Sequence, residues 1–303
     1  MENRIQDNKT GGGLEKGVNR RVFVRGVGIA GVGVAGAAFL AGKLGVLDSI
    51  PGINKVALGS AAVNAGAITD VDILNFALNL EYLEAEFYTV ATTGKTLEQS
   101  GIPVTGAGNP GKTTGGRLVN LSNSSNKTEV TGNLKAVVED IAGDEQQHVM
   151  LLRTALGSAA IAKPAINLDA LGTGFEGFLH FIALARAFED VGVSAYGGAA
   201  PLITSKDILA TAARIALTEA NHAGSLRTLA AVNKDPFLFP VDSKDLLPPP
   251  AGKQYFVVDG QGLAIVRTPG QVLAIVYHNT TNGATAGGFF PKGVNGNITS
   301  VSV

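Results

Sequence analysis

The sequence predicts a mainly α-helical protein: a four-helix bundle with a long insert between its first two helices and a small β extension after the fourth. Three observations lead to this class. Four stretches repeat apolar residues at spacings of three and four, the period of a half-buried helix. Glutamates and histidines recur inside those apolar faces, and from Lys253 onward the pattern changes to alternation. The chain accordingly divides into an N-terminal region at 1–67, a bundle at 68–232 and a C-terminal region at 233–303.

The first helix is expected over Asp70–Ala91, where Leu74, Leu78, Glu81, Ala85 and Tyr88 share one face. The insert at 92–130 reads as a long polar loop with one short hairpin. A second helix runs over Thr131–Leu156 and stops at Gly157. The connection at 158–173 has the length of a crossover between the second and third helices of a bundle. The third helix, Gly174–Ala199, carries Glu189 inside an apolar run, and the fourth, Asp207–Ala231, is capped by Ser205. Residues 233–251 are proline-rich and cannot continue a helix. Gln254–Asp259, Leu263–Arg267 and Gln271–His278 then read as strands, with Thr299–Val303 as one more. So small a β unit has too little core to stand alone, so it docks on the bundle or pairs with a second subunit of a homodimer.

The chemistry concentrates in the helices. Of four histidines, two follow a glutamate by three residues, as Glu145-x-x-His148 and Glu219-x-x-His222. On a helix, i and i+3 share a face, so each pair aims a carboxylate and an imidazole at one point. Two such helices, with one further glutamate from each of two others, are how bundles hold a pair of metal ions. Glu81 and Glu189 supply the further glutamates, and each has a tyrosine seven residues on, Tyr88 and Tyr196. The chain thus reads as a pseudo-repeat of one helix pair.

These residues, with the stretches Asn79–Tyr88 and Asp144–Arg153, resemble the ferritin-like superfamily and its branch of desiccation-related and bacterial ferritin-like domain proteins, over about Asp70–Val232. The resemblance implies that Glu81, Glu145, His148, Glu189, Glu219 and His222 are ligands of a di-iron or di-manganese centre. It implies that Tyr88 stands beside the metals with a possible redox role, and that dioxygen or peroxide is the small-molecule substrate. The long insert departs from ferritins and bears on cage assembly rather than on the metal site. The alternative is a non-enzymatic stress or desiccation protein with a structural or degenerate metal site.

Neighbouring residues leave several readings open. Glu84 lies about 60° from Glu81 around the helix and could assist it, whereas Glu86, about 140° away, reads as a solvated face. Asp140 and Asp144 precede His148 by whole turns, so either could orient an imidazole or be a surface carboxylate. Arg186, one turn before Glu189, could pair along its helix or stabilise the carboxylates. Tyr88 and Tyr196 also fit as core aromatics, and His180 and His278 lack a ligand-spaced partner.

Composition narrows the partners. A net charge of −1 over 303 residues argues against nucleic acid. The absence of cysteine leaves carboxylate and imidazole as the strong ligands, which suits two iron or two manganese ions. Arg20-Arg21, with Phe23 and then seventeen uncharged residues from Gly26 to Gly42, resembles a twin-arginine export signal. That resemblance implies passage through the twin-arginine translocase to the periplasm or outer cell envelope, with Ala35-Gly-Ala37 and Ala65-Gly-Ala67 as cleavage sites, or an N-terminal membrane anchor if the signal stays. Gly26-x-Gly28-x-x-Gly31 fits a dinucleotide pattern, but no βα units follow it. Gly106 to Thr113 fits a P-loop with Lys112, yet its flanks supply neither strand nor helix, so no nucleotide is expected.

Overall fold

The computed structural model describes residues 68–121 and 134–303. The stretch read as an export signal, its expected cleavage sites, the glycine pattern at 26–31, and residues 122–133, which hold the end of the insert and the expected start of the second helix, lie outside the described residues. The four bundle helices are α1 (Asp70–Thr93), α2 (Leu134–Leu156), α3 (Phe178–Ala199) and α4 (Lys206–Val232). α1 packs along α2, α3 packs along α4, and the two pairs meet through α1 and α3.

Local chemistry sets the ends. Thr69 and Asp72 form a reciprocal capping box at the start of α1, and Gly94 ends it at φ 71°, where only glycine is at ease. Ser205 accepts from the Ile208 amide at the start of α4. α1 is buried on every face from Ile73 to Ala91, so it is the central helix and not an amphipathic one. That corrects the reading of Glu86 as solvated. Glu86 is fully buried and meets the equally buried Lys163, whose Nζ lies 2.7 Å from Glu86 Oε1, 3.0 Å from Glu98 Oε1 and 2.6 Å from Thr113 Oγ1. A helical wheel gives the angle of a side chain but not what is packed against it.

Within its described residues, the insert pairs with the crossover and not with itself. β1 (Thr113–Thr114) runs parallel to β2 (Ile166–Asn167), and Ala107 bridges Ile161. The glycines of the P-loop-like pattern serve this approach. A Cβ at Gly106 would lie 2.2 Å from Ala160 O, and one at Gly111 would lie 2.1 Å from Ala165 N. Lys112 leads into a strand, not into the helix that a P-loop requires.

The C-terminal region docks on its own bundle, but not as a β unit. Val258 bridges Ala264 in a tight turn on Asp259, and no further strand forms there. The expected strand Gln271–His278 is instead a helix, α5 (Pro269–Val276). The stretch Val272–Val276 has no period that separates strand from helix. Thr268 and Gln271 form a capping box, Pro269 occupies the first turn, and Val272, Leu273, Ala274 and Val276 are buried. Thr299–Val303 is irregular, held by Val301 N to Ala284 O.

Three fully buried arginines fasten this region. Arg186 donates to Asp190 on its own helix, to Asp245 and to Phe239 O. It therefore points away from the glutamate–histidine cluster. Arg227 joins Asp190 to the carbonyls of Leu246, Gln254 and Tyr255. Arg267 grips Asp242 with both ends of its guanidinium and reaches Ser194 Oγ. On the opposite side, Asn79 of α1 exchanges hydrogen bonds with the backbone of Asn295, whose side chain reaches Asn109 O and Ala162 O. Arg227→Met should strand three carbonyls and weaken the charge balance around Asp190. Removing one partner of such a buried pair costs about 3 kcal/mol. In a domain of this size that lowers Tm by roughly 6–12 °C, and a thermal melt unchanged from wild type would contradict this account of the docking.

Candidate metal centre

The bundle brings all six predicted side chains to one place. Glu81 comes from α1, Glu145 and His148 from α2, Glu189 from α3, and Glu219 and His222 from α4, each buried. They form two overlapping groups. Glu81, Glu145, His148 and Glu219 place donor atoms within 4.8 Å of one another, and Glu145, Glu189, Glu219 and His222 do the same. Glu145 and Glu219 belong to both. His148 Nδ1 lies 3.3 Å from Glu81 Oε2, 3.3 Å from Glu145 Oε2 and 3.2 Å from Glu219 Oε1. His222 Nδ1 lies 3.0 Å from Glu145 Oε1 and 3.3 Å from Glu189 Oε2. The two oxygens of Glu145 thus face different imidazoles, which are 6.4 Å apart.

The tyrosines cross between the halves. Tyr88, seven residues after Glu81, donates to Glu189 Oε1 at 2.5 Å, and Tyr196, seven residues after Glu189, donates to Glu81 Oε1. Each phenol fixes the glutamate of the opposite helix and turns that glutamate's other oxygen inward. Spacing along one helix signalled the tyrosines but not the exchange. Asp144 accepts from His222 Nε2 at 3.2 Å, so it orients the imidazole of α4 and not that of its own helix. Asp140 lies on the exposed face of α2 and meets neither imidazole. His180 is held by Thr173 and stacks on Phe237, away from the cluster.

Electrostatics show what the cluster lacks. Three carboxylate oxygens converge on His148 Nδ1, and one N–H serves only one of them. Glu81 Oε2, Glu145 Oε1, Glu189 Oε2, both oxygens of Glu219, and His222 Nδ1 are buried without a hydrogen-bond partner. Burial, with the charge of Glu219, pushes Glu145 up to about 7. Burial, with the charge of Glu189, pushes Glu219 up to about 8. Burial also raises Glu189, and it raises Glu84 well above the carboxylate range with help from Glu219. Burial opposes the charged form of His222, yet the hydrogen bond to Asp144 and the close carboxylates of Glu145 and Glu189 push it up to about 12. Burial likewise opposes charge on His148, but Glu81, Glu145 and Glu219 hold it far above its usual range. Burial works against ionised Glu81 too, and the charge of His148 brings it below the usual value. Protons here do the neutralising that a cation would do better, because a cation meets every orphaned oxygen at once. The donor set is carboxylate and imidazole, the geometry is two shared quartets, and the cluster is compatible with a di-metal site.

The sequence model of the family described as "Ferritin-like domain" matches residues 69–232, more than half of the chain and the whole of the four-helix bundle. Comparison with curated proteins and with solved structures gave no match.

The difference between the two aspartates is measurable. Asp144→Ala should lower the affinity for manganese(II) about 10-fold or more, the usual effect of losing a group that orients a ligating imidazole. Asp140→Ala should leave it unchanged. Equal titration curves for the two variants in calorimetry would show that Asp144 has no part in holding His222.

Proposed function

The chain belongs to the ferritin-like domain family, and from that premise we propose that it is a di-metal carboxylate protein holding two iron or two manganese ions and reacting with dioxygen or peroxide. The observation that carries this reading is the pair of four-donor groups sharing Glu145 and Glu219, with most inner donors otherwise unpartnered. In it, Glu81 and His148 serve one ion, Glu189 and His222 the other, and Glu145 and Glu219 both. Bound there, the ions would supply electron transfer to an oxygen species and open positions to receive it.

The chain's own residues do the rest. Tyr88 and Tyr196 hold phenolic protons against Glu189 and Glu81 and fix the carboxylates that reach inward. Tyr88, fully buried on the central helix, is the side chain we assign a redox role. Asp144 fixes His222, and the apolar residues of α1 and α3 keep bulk water from the cluster. A second reading, in which the ions only brace the bundle of a stress or desiccation protein, draws on the burial of every ligand.

Three experiments test this proposal. Metal analysis of the purified protein should give two ions per chain. The Glu145→Ala/Glu219→Ala variant should lose both, because each of those carboxylates serves both positions. Glu86→Ala should keep both while lowering Tm, since its carboxylate belongs to Lys163. Full metal content in the double variant would refute the site.

Reduced, iron-loaded protein in an oxygen electrode should consume dioxygen, and the manganese form should release it from hydrogen peroxide if the chemistry is catalase-like. Tyr88→Phe should slow the reactive form without changing metal content. Two bound ions with no reaction toward either oxidant would leave the structural reading standing.

Export rests on Arg20-Arg21 and the uncharged stretch that follows. Replacing both arginines with lysine should retain the protein in the cytoplasm. Unchanged delivery in cells lacking the twin-arginine translocase would overturn that part of the proposal.

A further inference from the structure

The pseudo-repeat of the two helix pairs holds for the six predicted ligands and both tyrosines but breaks at two places, one of them Asp144, which is matched by Thr218. Glu81 corresponds to Glu189 and Tyr88 to Tyr196, but Glu84, three residues after Glu81, corresponds to Gly192, three residues after Glu189. The glycine is not at an unusual backbone angle, so its smallness is what the site uses. A Cβ at residue 192 would lie 2.6 Å from Glu219 Oε2 and 3.2 Å from Glu84 Oε1. Two carboxylates from two other helices therefore fill the room a side chain would take. Glu84 is 5 % exposed and makes no hydrogen bond among the described residues, and Glu219 Oε2 beside it is buried and unpartnered. A carboxylate kept that deep without a donor is costly unless a cation meets it.

We infer that Glu84 is a fifth carboxylate of the metal centre, admitted by the missing side chain at Gly192, and that it binds one of the two ions directly. This rests on the di-metal reading above. Glu84 approaches from the side where α1 and α3 face each other and adds a donor that has no counterpart in the other half. The two ion positions are therefore unequal in charge and in number of ligands, although the helices that build them are a repeat. The ligand is a hard divalent or trivalent cation, as the oxygen-rich donor set requires.

Calorimetric titration with manganese(II) alone, on wild type, Glu84→Gln and Gly192→Ala, tests this. Wild type should show two binding steps. Glu84→Gln should weaken one of them about 10-fold or more and leave the other unchanged. Gly192→Ala should weaken both steps, because it pushes aside the carboxylate end of Glu219, which serves both ions, as well as that of Glu84; both ends are flexible enough for the fold to survive. Melting the metal-free proteins supplies a second readout. Glu84→Gln should be as stable as wild type or more so, because it removes a buried carboxylate repelled by its neighbours. If wild type binds no manganese, the di-metal reading fails and this inference with it. If wild type binds two ions and Glu84→Gln binds both equally well, or only loses stability while metal-free, Glu84 is a packing residue and this inference alone is overturned.

Discussion

Mutual repulsion among buried carboxylates is the constraint on which the rest of this structure turns. Four helices each bring at least one glutamate to the same point, out of reach of water, and among the described residues no arginine or lysine pairs with them there. Such a cluster persists only if positive charge is held at its centre and if the side chains cannot swing apart. The second condition is met by the chain itself. The phenols of Tyr88 and Tyr196 tie the outer oxygens of two glutamates, and Asp144 ties the back of His222. The basic side chains that reach the interior are spent elsewhere, Lys163 on Glu86 and the insert and the arginines on the C-terminal region.

The sequence made the cluster legible because its elements repeat at helical spacing. Glu-x-x-His has meaning on a helix whatever surrounds it, and its double occurrence picks out α2 and α4 directly. Residues that depend on a neighbouring element were harder to read. Tyr88 was visible as a partner of Glu81 by spacing, yet its hydroxyl goes to Glu189, because seven residues carry a side chain two turns along its own helix while saying nothing of the helix across. Asp144 was visible as an orienting group but serves the other imidazole for the same reason. Glu86 was misread because every face of α1 is covered, one of them by a lysine from the crossover.

Outside the bundle, local signals were present but outweighed. Val272–Val276 looks like strand by residue type, while Thr268 and Gln271 spell a helix start three residues apart. The glycines around Lys112 match a phosphate-binding pattern in composition, but what they admit is the crossover backbone. In the first case the local cap decided the outcome, and in the second the meaning of the glycines depended on a segment distant in sequence.

The fastening of the C-terminal region bears on the order in which the protein is made. Every residue of the cluster precedes position 223, while the carbonyls gripped by Arg186 and Arg227, and Asn295, which ties α1 to the insert and crossover, all follow position 235. On a ribosome the helices can therefore assemble before the segments that cover them have emerged. Such long-range contacts form late and slowly, since the loop they close is long. Between the two events lies an interval in which the glutamates are gathered but the outer faces of α3 and α4 are still bare.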